Sequence, residues 1–175
     1  MGAIVLFVTA IGVGTGGNIG AAPACTISGG AGNNTLIGTA GVDVVCGYDG
    51  NDTLVGKAGA DELWGMHGND TMQGDGGSDL LDGGVGDDTF VGGKNNDSEF
   101  GSYGGDTMRG NFGDDLVQGG KGADSLIGGD GADSLSGGYD ADTIDSADGA
   151  STDTVDGGTG ADICTTDAGD TVTGC

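Results

Sequence analysis

Apolar side chains recur at every ninth position through most of this chain. Thirteen consecutive nine-residue units fill residues 29–145 without insertion or deletion. When the units are aligned, from GGAGNNTLI to GGYDADTID, position 8 is apolar in twelve of them, and Glu99 is the exception. Position 1 is Gly in all thirteen units, position 4 is Gly in eleven, and position 6 is Asp in twelve. A repeat of this length determines the architecture of the whole chain.

The pattern predicts one turn and one short strand in each unit. Positions 7–9 form a three-residue strand whose position-8 side chain faces inward, because alternate side chains of a strand point to opposite faces. Gly at positions 1 and 4 allows backbone conformations that are closed to other residues. Asn95 and Asp140, the exceptions at position 4, tolerate a left-handed backbone better than most side chains do. Two units make an 18-residue coil, and stacked coils place turn over turn, so that carbonyl oxygens and carboxylates enter the gaps between them.

The order G-G-x-G-x-D-x-U-x resembles the calcium-binding nonapeptide of the RTX, or haemolysin-type calcium-binding, repeat family. The resemblance covers about two thirds of the chain in strict register. It implies an all-β fold, a parallel β-roll (β-solenoid) of about eight 18-residue coils, with Ca²⁺ held in the turns. Alternate units stack on opposite edges of such a roll and leave about eleven gaps between the regular turns, which predicts about eleven bound Ca²⁺ ions.

The resemblance also assigns the calcium ligands. They are the carboxylates of position 6, and carbonyl oxygens of the turns complete each coordination shell, since Ca²⁺ takes six to eight oxygen ligands. These residues are Asp43, Asp52, Asp61, Asp70, Asp79, Asp88, Asp97, Asp106, Asp115, Asp124, Asp133 and Asp142.

Composition adds a condition to this fold. The chain has 28 Asp and Glu against 4 Lys and Arg, a formal net charge of −24. Such a surface repels nucleic acid and anionic membranes, so neither is expected as a partner. One apolar side chain per nine residues makes a thin core, and the 44 Gly add to the entropy lost on ordering. The sequence therefore predicts a chain that is disordered without calcium and folds when calcium neutralises its carboxylates.

The N-terminus predicts export. Residues 3–13 are apolar or small, and Ala22-Pro23-Ala24 follows, which resembles a secretory signal peptide over residues 1–24 cleaved before Cys25. The apolar run is too short to span a membrane. No Lys or Arg precedes it, so an apolar N-terminal strand or cap is the alternative. The predicted domain is a β-roll over residues 25–175 of an extracellular protein.

The last thirty residues depart from the regular array. Ser146 and Ala147 look like an insertion, and residues 146–175 form degenerate units and a cap. Asp153, Asp162 and Asp170 stand at or near position 6 of these units, so further metal sites are possible there.

Four cysteines allow three connectivities. Their placement at the two ends of a solenoid favours Cys25–Cys46 and Cys164–Cys175, each stapling a terminal coil in an oxidising compartment. The alternative is four free buried thiols.

No catalytic arrangement is legible, and the prediction is a protein that is not an enzyme. His67 lies in a turn position without a second metal-binding side chain at zinc spacing. Phe100 is expected to turn inward in place of Glu99, which would spare the core a charge. Two other functions stay open: coils that stack end to end into a calcium-cemented structural or adhesive assembly, and an ice-binding face. The second rests on a file of hydroxyls at position 7 of alternate units: Thr35, Thr53, Thr71, Thr89, Thr107, Ser125 and Thr143.

Overall fold

The computed structural model describes residues 24–149 and 152–175. These residues form seventeen β-strands. None of them belongs to a helix that is long and apolar enough to cross a membrane. The predicted signal peptide lies outside the described residues except for Ala24, so it stays a prediction.

The strands alternate between two sheets along the chain. The first sheet contains, in order, β1 Ile27–Ala31, β3 Val44–Asp49, β5 Glu62–His67, β7 Leu80–Val85, β9 Ser98–Tyr103, β11 Leu116–Lys121, β13 Ser134–Tyr139, β15 Thr154–Thr159 and β17 Thr171–Thr173. The second sheet contains β2 Thr35–Ile37, β4 Thr53–Ala58, β6 Thr71–Gly76, β8 Thr89–Lys94, β10 Thr107–Phe112, β12 Ser125–Asp130, β14 Thr143–Asp145 and β16 Ile163–Thr165.

Every strand pair within these sheets is parallel and joins residues one coil apart. Val45 pairs with Leu63, and Leu63 pairs with Leu81, each eighteen residues further along. With nine strands in one sheet and eight in the other, the chain makes about eight coils. The predicted all-β fold, a parallel β-solenoid of 18-residue coils, is confirmed.

The strands are longer than the sequence predicts. Most run for six residues, as in β4 Thr53–Ala58, and continue from positions 7–9 of one unit through positions 1–3 of the next. The pairing skips position 1: Cys46 pairs with Trp64 and Tyr48 with Met66, while Gly47 is passed over. Pairing with the neighbouring coils continues past position 1 to positions 2 and 3, so each coil has longer sides than a three-residue strand would give.

Position 1 requires glycine because a side chain would have no space there, and not because the backbone is left-handed. The prediction that position 1 needs glycine for its backbone conformation is wrong. A methyl group on Gly56 would lie 2.6 Å from Asp61 Oδ2 and 3.1 Å from the Gly74 carbonyl oxygen of the next coil. The left-handed φ angles fall instead at positions 4 and 2. Position 2 often carries an ordinary side chain, as at Lys57, with φ 85°, and Met66, with φ 80°.

The core is a single layer of position-8 side chains between the two sheets. Its fully buried members are Val45, Leu54, Leu63, Met72, Leu81, Phe90, Met108, Val117, Leu126, Leu135, Ile144 and Val155. The prediction that Phe100 replaces Glu99 in this layer is wrong. Glu99 is 0% exposed, and Phe100 is half-buried at position 9. Pairing of β9 with β7 and β11 fixes which side chains face inward, because a one-residue slip would turn over the whole strand.

The two-residue insertion after residue 145 is accommodated without ending the solenoid. Ser134 pairs with Thr154 and Thr143 with Ile163, both twenty residues apart instead of eighteen. The strands on either side of the insertion therefore stay in register, and the extra length is taken up in the connection between them.

Both predicted disulfides are present. Cys25 is bonded to Cys46 and Cys164 to Cys175, with Cα–Cα distances of 6.0 and 5.9 Å. Each bridge ties a terminal segment to a neighbouring coil, at the places where a coil is supported from one side only.

Candidate metal centre

The position-6 side chains form two files along the edges of the solenoid, one on each side. We call them the inner carboxylate ladders. The first contains Asn34, Asp52, Asp70, Asp88, Asp106, Asp124, Asp142 and Asp162, and the second contains Asp43, Asp61, Asp79, Asp97, Asp115, Asp133, Asp153 and Asp170.

One carboxylate oxygen of each rung is engaged by the backbone. The Asp70 N–H donates to Asp88 Oδ1 at 2.7 Å, and the Asp88 N–H donates to Asp106 Oδ1 at 2.7 Å. The same bond recurs along both ladders at 2.6–3.1 Å. It ties each turn to the turn of the next coil and fixes the direction in which the carboxylate points.

The other oxygen of these carboxylates, Oδ2, is buried without a hydrogen-bond partner. This holds for Asp52, Asp61, Asp70, Asp79, Asp88, Asp97, Asp106, Asp115, Asp124, Asp133, Asp142, Asp153 and Asp162. All but the last of these residues are at most 3% exposed. A buried polar atom with no partner is costly, so a repeated set of unpartnered carboxylate oxygens is suited to binding cations.

The unpartnered oxygens lie beside backbone carbonyls of the next coil. A methyl group on Gly56 would lie 2.6 Å from Asp61 Oδ2 and 3.1 Å from Gly74 O, so the two oxygens lie near each other. At Gly74 the corresponding distances are 2.5 Å to Asp79 Oδ2 and 2.6 Å to Gly92 O. Carboxylate and carbonyl oxygens are the donors that Ca²⁺ prefers. Among the described residues no group of three or more His, Cys, Asp or Glu side chains could hold a metal ion.

Burial raises the pKa of the ladder carboxyl groups from Asp52 to Asp153. It raises the pKa of Asp88, Asp97 and Asp124 to about 7, and that of Asp70, Asp106 and Asp133 to about 6. Loss of solvent is the largest cause, the hydrogen bond from the preceding coil lowers the pKa, and neighbouring carboxylates raise it. The ionised array is therefore unfavourable by itself and needs positive charge in the gaps.

Asp43 differs from the other predicted ligands. Its Oδ2 accepts hydrogen bonds from the Thr39 N–H at 2.6 Å and from the Thr39 hydroxyl at 2.8 Å. A cation bound to Asp43 Oδ2 would have to replace these hydrogen bonds. In the ladder residues from Asp52 to Asp162 Oδ2 has no hydrogen-bond partner, whereas in Asp43 it has two.

The ladders extend past the regular units. The Asp133 N–H donates to Asp153 Oδ1 at 2.8 Å and the Asp142 N–H to Asp162 Oδ1 at 2.9 Å. The Asp153 N–H donates to Asp170 at 3.1 Å. Asp153 and Asp162 thus repeat the geometry of the regular turns, whereas Asp170 Oδ2 already accepts hydrogen bonds from the Asp167 N–H and the Ser146 hydroxyl.

Sequence reasoning missed a second set of turn contacts, formed by position 5. The Asn69 N–H donates to Asn51 Oδ1 at 3.1 Å, the Asp87 N–H to Asn69 Oδ1 at 3.2 Å, and the Gly105 N–H to Asp87 Oδ1 at 2.9 Å. These exposed side chains hold the outside of the turns together. Asn or Asp at position 5 of alternate units was the available signal, because only an 18-residue comparison places these residues in one file.

His67 does not join this site. Its Nδ1 lies 3.5 Å from Asp49 Oδ1 of the preceding coil, and both side chains are well exposed. The contact lies at the surface, where such pairs contribute little to stability.

Fold and site together define a parallel β-solenoid whose edges are lined by buried carboxylates, most of which have one oxygen without a hydrogen-bond partner. The model of the RTX calcium-binding nonapeptide repeat matches the chain in overlapping segments, at residues 26–54, 47–81, 65–99, 100–135, 119–152 and 147–172. These matches cover most of the chain, which therefore belongs to the RTX calcium-binding repeat family. Comparison with curated proteins returned no match.

Proposed function

We propose that this protein is a secreted, non-catalytic calcium-binding β-roll that folds as Ca²⁺ fills the gaps between its coils. The observation that carries the proposal is the repeated buried Oδ2 without a hydrogen-bond partner, set beside a carbonyl oxygen of the next coil. Membership of the calcium-binding repeat family supports Ca²⁺ as the ion.

The proposed ligands are the predicted position-6 residues from Asp52 to Asp142, each acting through Oδ2. Asp43 belongs to the set as its weakest member, because Thr39 already occupies its oxygen. The regular turns provide about eleven gaps, and the continuation of the ladders to Asp162 and Asp170 adds up to about three. Eleven divalent ions would offset most of the formal charge of −24.

The two disulfides support secretion as part of this proposal. Disulfides form and persist in oxidising compartments such as the extracellular space, and the two bridges here close terminal segments of the roll. Extracellular calcium sites work at affinities of about 10⁻⁴–10⁻³ M. A chain with weak, numerous sites would stay unfolded at the low calcium levels inside a cell and fold after secretion.

The test is a calcium titration of the chelator-treated chain followed by circular dichroism, with Mg²⁺ as the matched control. We expect cooperative gain of β-structure with Ca²⁺ and no comparable gain with Mg²⁺, because Mg²⁺ demands a tighter octahedral shell. Native mass spectrometry should count about eleven to fourteen ions. A chain that is fully folded in chelator, or one that binds only one or two ions when folded, contradicts the proposal.

Ice binding is a second candidate because one observation favours it. The strand register places the predicted Thr file in adjacent rungs on the outer face of the second sheet, from Thr35 and Thr53 to Ser125 and Thr143. Gln73 and Arg109 interrupt the neighbouring position-9 file on the same face. Thermal hysteresis of the calcium-loaded protein tests it, and sedimentation with and without calcium tests the proposed end-to-end assembly.

A further inference from the structure

Glu99 is the one acidic side chain in the core layer. It lies on β9 at position 8, between Leu81 of β7 and Val117 of β11 in the register of the first sheet. Its residue exposure is 0%. All other position-8 side chains of the regular units are apolar, so packing alone gives no reason for a carboxylate at this place.

Neither oxygen of the Glu99 carboxylate has a hydrogen-bond partner. The backbone groups of Gly92 and Arg109 lie close by, but neither makes a hydrogen bond of ordinary geometry to it. The salt bridge found among the described residues joins His67 and Asp49, so no cation of the protein pairs with Glu99 there. A buried carboxyl group either keeps its proton, is paired with a cation of the protein, or coordinates a metal.

The Glu99 carboxylate ends beside Gly92 of β8, in the opposite sheet, and beside Asp97 of its own unit. A methyl group on Gly92 would lie 2.8 Å from Glu99 Oε1, 2.6 Å from Asp97 Oδ2 and 3.0 Å from the Gly110 carbonyl oxygen. Three oxygens from two coils therefore lie close together beside the Gly92 backbone. At Gly56 the corresponding point is surrounded by Asp61 and the Gly74 carbonyl, without a third oxygen among its nearest atoms.

A comparison within the chain shows that position 8 can reach this gap. On the preceding unit, the ring carbon Cζ of Phe90 would lie 2.8 Å from a methyl group on Gly83, beside Asp88 Oδ2. Phe90 places carbon where Glu99 places oxygen. The long side chain at residue 99 thus brings a second carboxylate oxygen close to Asp97 Oδ2.

We propose that Glu99 is a further calcium ligand, which joins Asp97 Oδ2 and the Gly110 carbonyl in the gap between the Asp97 and Asp115 turns. This inference rests on the proposed function. The second carboxylate makes this site the tightest of the array, because charge count among the ligands raises calcium affinity. The site lies on β9, the fifth of nine strands in its sheet, so the first ion to bind orders the middle of the solenoid and links the metal directly to the core.

The experiment measures calcium retained by the full-length chain in equilibrium dialysis with radioactive calcium at graded free concentrations. The variants are Glu99→Gln, which keeps the size of the side chain, and Glu99→Leu, which restores the common residue of position 8. Glu62→Gln is the matched control, because Glu62 lies on β5 of the same sheet at position 7 and does not face the core.

At a free calcium concentration about one tenth of the array midpoint, we expect wild type and Glu62→Gln to retain one ion, and both Glu99 variants to retain none. The affinity of that one site should fall by about tenfold or more. In chelator, circular dichroism should show Glu99→Leu at least as ordered as wild type, because an unpaired buried carboxyl group has been removed.

Two results overturn the inference while leaving the proposed function intact. One is identical retention by wild type and both Glu99 variants at every calcium concentration. The other is a wild-type curve with no tight ion but normal filling of the remaining sites. A wild-type chain that binds no calcium at any concentration would overturn the proposed function itself and the inference with it.

Discussion

Asp88 is the residue of the inner carboxylate ladders at which calcium binding can be tested most directly. Its Oδ1 accepts the Asp70 N–H at 2.7 Å, its Oδ2 has no partner, and it is 1% exposed. Asp88→Asn keeps an oxygen for the backbone hydrogen bond but removes the charged ligand. Asp88→Ala removes both, so the pair separates the hydrogen bond from the metal.

The expected magnitude follows from these contacts. At calcium ten times the site dissociation constant, each site adds about 1.4 kcal/mol to the free energy of unfolding. Loss of the Asp88 site and weakening of one adjacent site therefore remove about 1.5–3 kcal/mol, since coils interact with their nearest neighbours. Leaving the buried Asp70 N–H unpaired costs a further ~1–3 kcal/mol in Asp88→Ala. With Tm falling by roughly 2–4 °C per kcal/mol for a chain of this size, Asp88→Asn should lower Tm by about 3–12 °C and Asp88→Ala by about 5–24 °C.

The assay is calorimetry in saturating calcium and circular dichroism in chelator. The control is Asp87→Asn, one residue away, where an exposed Oδ1 accepts the Gly105 N–H at 2.9 Å and other units already carry Asn. It should change Tm by less than about 2 °C. In chelator, Asp88→Asn should not destabilise the chain, because burial raises the pKa of the Asp88 carboxyl to about 7 and its ionised form is unfavourable there. If Asp88→Asn and Asp87→Asn behave alike in calcium, the carboxylate ladder does not hold the metal.

Protonation by acid should partly replace calcium. Burial raises the pKa of ladder carboxyl groups to about 6–7 in the folded state, compared with about 3.9 in the unfolded chain. The metal-free fold is therefore most stable near pH 4 and loses that stability as the pH rises through 6–7. Circular dichroism in chelator between pH 4 and 8 checks this, and β-structure that decreases on acidification would refute it. Gly74→Ala should cost ~1–3 kcal/mol, since its methyl group would lie 2.5 Å from Asp79 Oδ2; Gly30→Ala, which meets nothing within 4 Å, is the control in the same denaturation series. Reduction of the two terminal disulfides should lower Tm, because the terminal coils fray, and should leave calcium-driven folding of the central coils intact. Hydrogen exchange shows which amides lose protection. Uniform loss of protection along the chain would contradict a purely terminal role.

The sequence determined the repeat, and the repeat determined most of the architecture. A strict nine-residue period with one inward position left a solenoid as the arrangement that could bury every position-8 side chain. Local chemistry also pointed to the twelve position-6 carboxylates and, once the solenoid was assumed, to terminal Cys pairs. Each of these conclusions depends on residues in one unit or in its immediate neighbours.

Contacts between coils decided the rest. The length of the strands, the steric need for Gly at position 1 and the position-5 hydrogen bonds all arise from atoms eighteen residues apart. The orientation of Glu99 is the clearest case. Hydrophobicity favoured an inward Phe100, but β7 and β11 hold β9 in register on both sides, and a local slip would break two sets of strand hydrogen bonds to save one charge. The tertiary structure therefore placed a carboxyl group in the core, because misaligning a parallel sheet costs hydrogen bonds along the whole strand while one acidic side chain carries only a local cost.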